Sequence, residues 1–443
     1  MKKFLLLLVT ISMIFWLAAC SSSEGSNEQD NQTSNNEEDS NNQAEESEDE
    51  EITLRFAWWG EQNRANYTLE VIELFEEQNP NVTIEAEYAS WDDYWRKLAP
   101  QAAAGELPDI IQMDLSYISE YSANNQITDL TPFIGEEINV DNIADSVISG
   151  GEVNGGIHGF NVGTTASSFF YNPAIAEEIG VELSEDWTWD DFEEIAKTAA
   201  EEGYEGGAGV SETQVSFDYY LRTKGQKLFA EDGSGLAYDD DQLFVDYFTM
   251  QKELVDLGAG PTPDEVAQQT GPEDSSLVKG EGLGGIGWAT QFPGTQELTD
   301  LDLSLTNPPA ASEDTKGLYL KPSMLFSIAE NSNHKEMAAK FIDFFVNDVE
   351  ANKLIMADRG IPVSSVIKEE LSNEVPDAQA QVFDYISWVE ENSSPMGGPD
   401  PSGAGEVISA LQRLAEQIIY GEVTPDEAAE DFRVQAESIL GSN

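Results

Sequence analysis

Alternation governs the first folded stretch, ITLRFAWW at 52–59, which reads as a strand. Consecutive strand residues point to opposite faces, so Trp58 and Trp59 cannot share one core. We expect Trp59 to face outward and Trp58 to pack inside. From Arg64 to Gln78 the spacing turns helical, with apolar positions at Leu69, Ile72 and Phe75. Asn79-Pro80-Asn81 ends that helix. A strand is predicted at 82–88, a helix at 91–104, a short buried strand at 108–113 and a helix at 114–124. This βαβαβα order implies a parallel sheet with helices on its faces. Ligands in such sheets bind beyond the carboxyl ends of the strands. Trp58-Trp59-Gly60 and Met113-Asp114 fall there.

A second unit follows. HGFNVGTTASSFFYN at 158–172 is strand-like, broken at Gly163, and long enough to pass from one lobe to another. Helices are predicted at 173–180, 189–202, 214–230 and 240–257, and short strands at 283–288 and 301–305. SMLFSIAE at 323–330 reads as a strand, followed by helices at 334–346 and 348–357. Amphipathic helices at 404–420 and 425–440 close the pattern.

The first twenty residues differ in kind. Lys2 and Lys3 precede an apolar run from Phe4 to Trp16, and Leu17-Ala18-Ala19-Cys20 follows. This is the pattern of a secretory signal over 1–19, short for a membrane span. Its ending resembles the bacterial lipobox, which implies cleavage before Cys20 and a lipid on its sulfur. Residues 20–51 then hold no aromatic residue and no aliphatic one larger than alanine. Such a segment buries too little to offset its ordering entropy, so an acidic, disordered tether is expected.

Charge narrows the partners. The 443 residues carry 85 acidic and 21 basic side chains, a formal net charge of −64. Nucleic acid is an unsuitable partner, because it needs cations at its phosphates. The acids are scattered without calcium-loop spacing, and no metal site is expected. They suit a solvated surface in a salty or alkaline exterior. His158 and His334 stand far apart, and the single cysteine is Cys20. GLGGIG at 282–287 matches a dinucleotide fingerprint formally. It lacks the surrounding βαβ unit, so we expect a closely packed strand and no cofactor.

AWWG, VIELFEEQNPNVTIE, WDDYWRKLAPQAAAGELPDIIQMD, WTWDDFEEIA and AAKFIDFFVND together resemble extracellular solute-binding proteins of carbohydrate ABC transporters. Residues 219–248, LKPSMLFSI and RGIPVS resemble the lipoproteins of Bacillus pectin-utilisation clusters, which take up rhamnogalacturonan-derived oligosaccharides. The resemblance implies an α/β fold of two periplasmic-binding-protein-like lobes with hinge crossings and an interlobe cleft. Lobe 1 would be 52–162 plus 323–370, and lobe 2 would be 163–322 plus 371–443. It implies a lipid-anchored, monomeric chain outside the cell membrane that hands an oligosaccharide to two permease subunits and does no chemistry. A polysaccharide hydrolase or lyase, a surface adhesin, and transport of a neutral sugar are the competing readings.

Sugar faces pack on aromatic rings, and sugar edges need placed hydrogen-bond partners. Candidate groups are therefore Trp58 or Trp59 with Gln62, Asn63 and Arg64; Trp91 with Asp93 and Tyr94; and Asp114 with Tyr117. The second lobe would offer Phe217, Asp218, Tyr220, Arg222 and Trp288. The family's cleft also implies Asn161 at a crossing and the PMGGPDPSG loop. Arg222 or Arg64 is the candidate partner for a uronate carboxylate. The alternative is that these rare bases make salt bridges within the chain. Trp187, Trp189 and Trp95 are expected to be structural, with Thr188 capping a helix.

Overall fold

β1 (Ile52–Trp59) pairs in parallel with β2 (Val82–Ala89) along its whole length, from Ile52 against Val82 to Trp59 against Ala89. The computed structural model describes residues 51–210, 213–230, 233–310 and 317–441. The signal segment, Cys20 and the tether up to residue 50 lie outside the described residues. Helices α1 (Gln62–Gln78) and α2 (Trp91–Ala104) return the chain to β2 and then to β3 (Ile110–Met113), which lies parallel on the other side of β1. Asp114 then caps α3 (Leu115–Ala123), its carboxylate accepting from the Ser116 N–H at 2.9 Å.

The parallel expectation holds only for these three strands. Lys321–Ile328 joins antiparallel to β3, and Phe160–Thr165 joins antiparallel to it, giving a mixed five-stranded sheet. A second sheet of three antiparallel strands centres on Ser167–Tyr171, flanked by Gly284–Trp288 and Ser304–Thr306. Gly163 does not interrupt its strand. The break falls at Ala166, the one residue between the two sheets. The glycine-rich run is a strand because Gly284 lies against the Phe170 backbone, where a Cβ would fall 2.2 Å from the carbonyl oxygen.

Residues 50–443 form one compact unit with two hydrophobic cores. One core takes in Leu54, Phe56, Trp58, Ile111 and Phe160, together with Phe326, Phe341 and Phe345 from later in the chain. The other gathers Phe169, Trp187, Phe217, Tyr247, Leu411 and Phe432. Val363 belongs to the first core but Ile361, Ile367 and Leu371 to the second, so the final crossing precedes residue 370.

Three chain segments cross between the cores, and they touch. Thr164 and Ile361 exchange backbone hydrogen bonds at 2.9 Å. A Cβ on Gly163 would fall 2.2 Å from the Arg359 carbonyl oxygen, and Gly360 sits at φ +109° against Thr164 and Ser323. Glycine alone fits both positions without strain. Ser323 donates to the same region, through Gly163 O at 2.9 Å and Arg359 O.

The helix predicted at 214–230 stops at Thr223, and Gly225 takes up φ +73° beyond it. Helices Ser365–Leu371 and Asp377–Asn392 were not anticipated. Thr188 forms the expected cap, accepting from the Asp191 N–H while Asp191 accepts in return. No described helix is long and apolar enough to cross a membrane.

Candidate functional site

A cleft of about 1590 Å³ opens between the two cores and is lined from both sides. One wall is aromatic. Trp59, at the end of β1, meets Trp91 edge-on at 4.9 Å and Tyr94 at 5.4 Å. Trp95 lies 4.0 Å from the Tyr117 ring. Trp91 starts α2 and is 41% exposed, so its ring is free for a ligand. Gln62 and Arg64 stand beside Trp59 on the first turn of α1, and Asp114 lies at the foot of Tyr117.

The facing wall is charged. Helix Thr213–Thr223 presents Asp218 and Arg222, one turn apart, with Arg222 Nε 2.8 Å from Asp218 Oδ2. The guanidinium lies 3.7 Å from the centre of the Tyr319 ring and also donates to Met396 O at 3.2 Å. Lys321, at the second crossing, holds its ammonium 4.4 Å from the centre of the Trp288 ring and 3.9 Å from Asp114. Asp400 comes from the PMGGPDPSG loop. Ser116 donates to its carboxylate at 3.4 Å and Ser119 to its carbonyl at 2.5 Å, which ties the loop to α3. Gly405 continues that contact, because a Cβ there would strike the Tyr117 ring.

Burial, then Asp218 and Asp114, push the Asp400 carboxyl up to about 7, against the opposing pull of Lys321 and Arg222. Asp358 moves the other way. Burial would raise it, but Arg64 and the Tyr67 hydroxyl hold it below the usual carboxylate range. Arg64 Nε lies 2.9 Å from Asp358, and Tyr67 donates to the same oxygen at 2.7 Å. The neighbouring Arg359 is buried among Gln112, Thr68 and Met324, and burial lowers it to about 10.

Trp59, Gln62, Arg64, Trp91, Asp114, Tyr117, Asp218, Arg222 and Trp288 therefore line the cleft. Six candidates do not: Trp58, which was expected to pack inside, Asp93, Tyr94, Asn161, Phe217 and Tyr220. Tyr94 is buried and donates to Gln112 O at 2.6 Å. Trp58 is fully buried, packed on Phe56 and stacked on Tyr88 at 5.4 Å. Asp93 points away and pairs with Arg96 on the exposed side of α2, while Asp92 faces the cleft. Asn161 is buried and accepts from the Gly163 N–H at 3.0 Å, so its amide serves the crossing strand. Phe217 and Tyr220 lie on the inward face of their helix. Phe217 packs among Tyr238, Phe244 and Phe248, and Tyr220 packs against Trp189 and Tyr247.

Asp92, Tyr319 and Lys321 are cleft residues absent from the expected set, Trp95 lines the cleft although it was expected to be structural, and Asp400 comes from the loop that the resemblance implied. Lys321 could have been found from the sequence as a rare base placed just before a crossing. Tyr319 carried no such signal. Among the described residues no three His, Cys, Asp or Glu side chains are grouped to hold a metal ion.

Solved structures share this architecture. A solute-binding protein of family 1 from Alicyclobacillus acidocaldarius is 26% identical, with 88% of this chain and 99% of that one covered and a TM-score of 0.65. A periplasmic oligogalacturonide-binding protein from Yersinia enterocolitica, in complex with saturated digalacturonic acid, is 25% identical over 88% of this chain and 99% of its own, with a TM-score of 0.79. An ABC substrate-binding protein of Listeria monocytogenes, in complex with cycloalternan, is 20% identical over 88% and 100%, with a TM-score of 0.75. The two-lobe α/β fold is that of periplasmic binding proteins. Residues 59–351 match the family model described as bacterial extracellular solute-binding protein, and the chain belongs to that family.

Proposed function

We propose that the chain captures an oligosaccharide outside the cell for an ABC importer, held to the membrane by a lipid on Cys20. One observation carries this reading: an aromatic wall of Trp59, Trp91 and Tyr117 faces a wall of hydrogen-bonding groups across a cleft between two cores. Rings take the C–H faces of a sugar, and carboxylates and amides take its hydroxyls. The touching crossings suit hinge closure around the ligand, driven by contacts that only the closed state makes to the sugar. The loaded chain then docks on two permease subunits, and no bond of the ligand is made or broken.

The oligogalacturonide-binding neighbour supports a pectin-derived sugar, and the motif likeness narrows it to rhamnogalacturonan fragments. The acidic cleft favours a neutral oligosaccharide as the second reading. Calorimetric titration of residues 52–443 with rhamnogalacturonan, galacturonan, xylan and malto-oligosaccharides tests both. Saturable binding of one class, with no product after prolonged incubation, is the expected result. Silence across the panel would end the oligosaccharide reading, and product formation would replace it with an enzyme.

A further inference from the structure

The cleft centre holds cations, but each already faces a carboxylate of this chain. Arg64 is committed to Asp358 at 2.9 Å, Arg222 to Asp218 at 2.8 Å, and Lys321 leans toward Asp114 at 3.9 Å. Asp400 stands among these groups as an additional acid. Along the described walls, carboxylates outnumber cationic side chains. The centre is thus rich in acceptors and short of cations to spare.

Resting on the oligosaccharide reading, we propose that the cleft centre takes an uncharged stretch of sugar and discriminates against a uronate carboxylate there. Hydroxyls of that stretch donate to Asp114, Asp218 and Asp400, while the wall of Trp59, Trp91 and Tyr117 supplies the flat contact. Hydroxyl donors satisfy these acids without taking away the cations that hold them. A ligand carboxylate would compete with Asp218 for Arg222 or with Asp114 for Lys321. It would leave one buried acid unpaired, which is the costly outcome of breaking a buried ion pair. The net charge of −64 acts in the same direction on the approach of any anion.

The test compares ligands that share a skeleton and differ in charge. The detergent-solubilised full chain is titrated with di- and trigalacturonate, their methyl esters and their carboxyl-reduced forms, and with xylo-oligosaccharides with and without a glucuronate branch. Neutral forms are expected to bind about tenfold more tightly than their carboxylate partners at pH 8, where Asp400 is ionised, the scale of one unpaired like charge at short range. Asp400→Asn is expected to narrow that ratio several-fold, and small-angle scattering with ligand confirms that the variant still closes. Carboxylate forms that bind as tightly as neutral ones, or a ratio that Asp400→Asn leaves unchanged, would overturn the inference and leave the oligosaccharide reading intact. No binding by any member of either series would overturn both.

Discussion

The Arg222 guanidinium lies over the Tyr319 ring, 3.7 Å from its centre, while its Nε grips Asp218 at 2.8 Å. Both charged side chains are mostly buried, at 11% and 14% exposure. Removing one partner leaves the other buried charge without its counter-charge, with only neutral hydrogen bonds to hold it. Arg222→Ala is expected to lower unfolding stability by about 3 kcal/mol, and the double variant with Asp218→Ala by less than the sum of the single changes. Urea titration of the four proteins in the cycle measures this directly. An additive result would mean that the pair contributes nothing as a pair.

The two adjacent tryptophans of β1 separate stability from binding. Trp58→Ala empties a site in a packed core and is expected to cost about 3–5 kcal/mol. Trp91→Ala removes a ring that is 41% exposed. It is expected to change stability by about 1 kcal/mol or less while weakening sugar binding roughly tenfold or more. Denaturation and calorimetry on the same two variants check the contrast.

Asp400 sets a pH dependence of known sign. The folded chain holds its proton up to about pH 7, whereas an unfolded aspartate releases it near pH ~3.9. Its contribution to stability is therefore complete below the unfolded value and is lost as pH rises toward the folded one. Asp400→Asn removes this loss. The melting temperature of the variant relative to the parent should be higher at pH 8 than at pH 5, and a difference that stays flat would contradict the burial of this carboxyl.

At the crossings, Gly163→Ala drives a methyl into the Arg359 carbonyl, 2.2 Å away. The expected cost is about 1–3 kcal/mol, the range of overpacked sites. Ligand-induced compaction, followed by small-angle scattering, should shrink in this variant. Full compaction would show that the crossing absorbs the strain elsewhere.

Much of this arrangement was legible in the pattern of residues, and the failures have a common cause. Strict periodicity marked α1, β2, α2 and α3, because each has one buried face, whereas the end of β1, Phe56 to Trp59, is buried on both. Period alone told that Trp58 and Trp59 diverge, but not which way. In the SFDYYLR stretch the same limit was sharper. Asp218 and Arg222, four apart, share the cleft side, whereas Phe217 and Tyr220, three apart, share the core side. Choosing all four ignored that a helix has two faces. Asn161 misled because a polar residue in a strand reads as a ligand contact until its backbone partner is seen. Tyr319 and Asp400 sit in irregular segments, which have no period to read.

The order of the mixed sheet sets a schedule for making the molecule. Strand Lys321–Ile328 lies between β3 and Phe160–Thr165, yet it is synthesised after the entire 167–320 segment. Until it arrives, β3 offers an unpaired edge, and an open edge is a template for pairing with other chains. A nascent chain therefore carries an incomplete first sheet through most of its emergence and completes it only after the 167–320 segment has been made. Truncations ending before residue 321 should aggregate for this reason, whereas loss of the last helix, Pro425–Leu440, leaves that sheet complete.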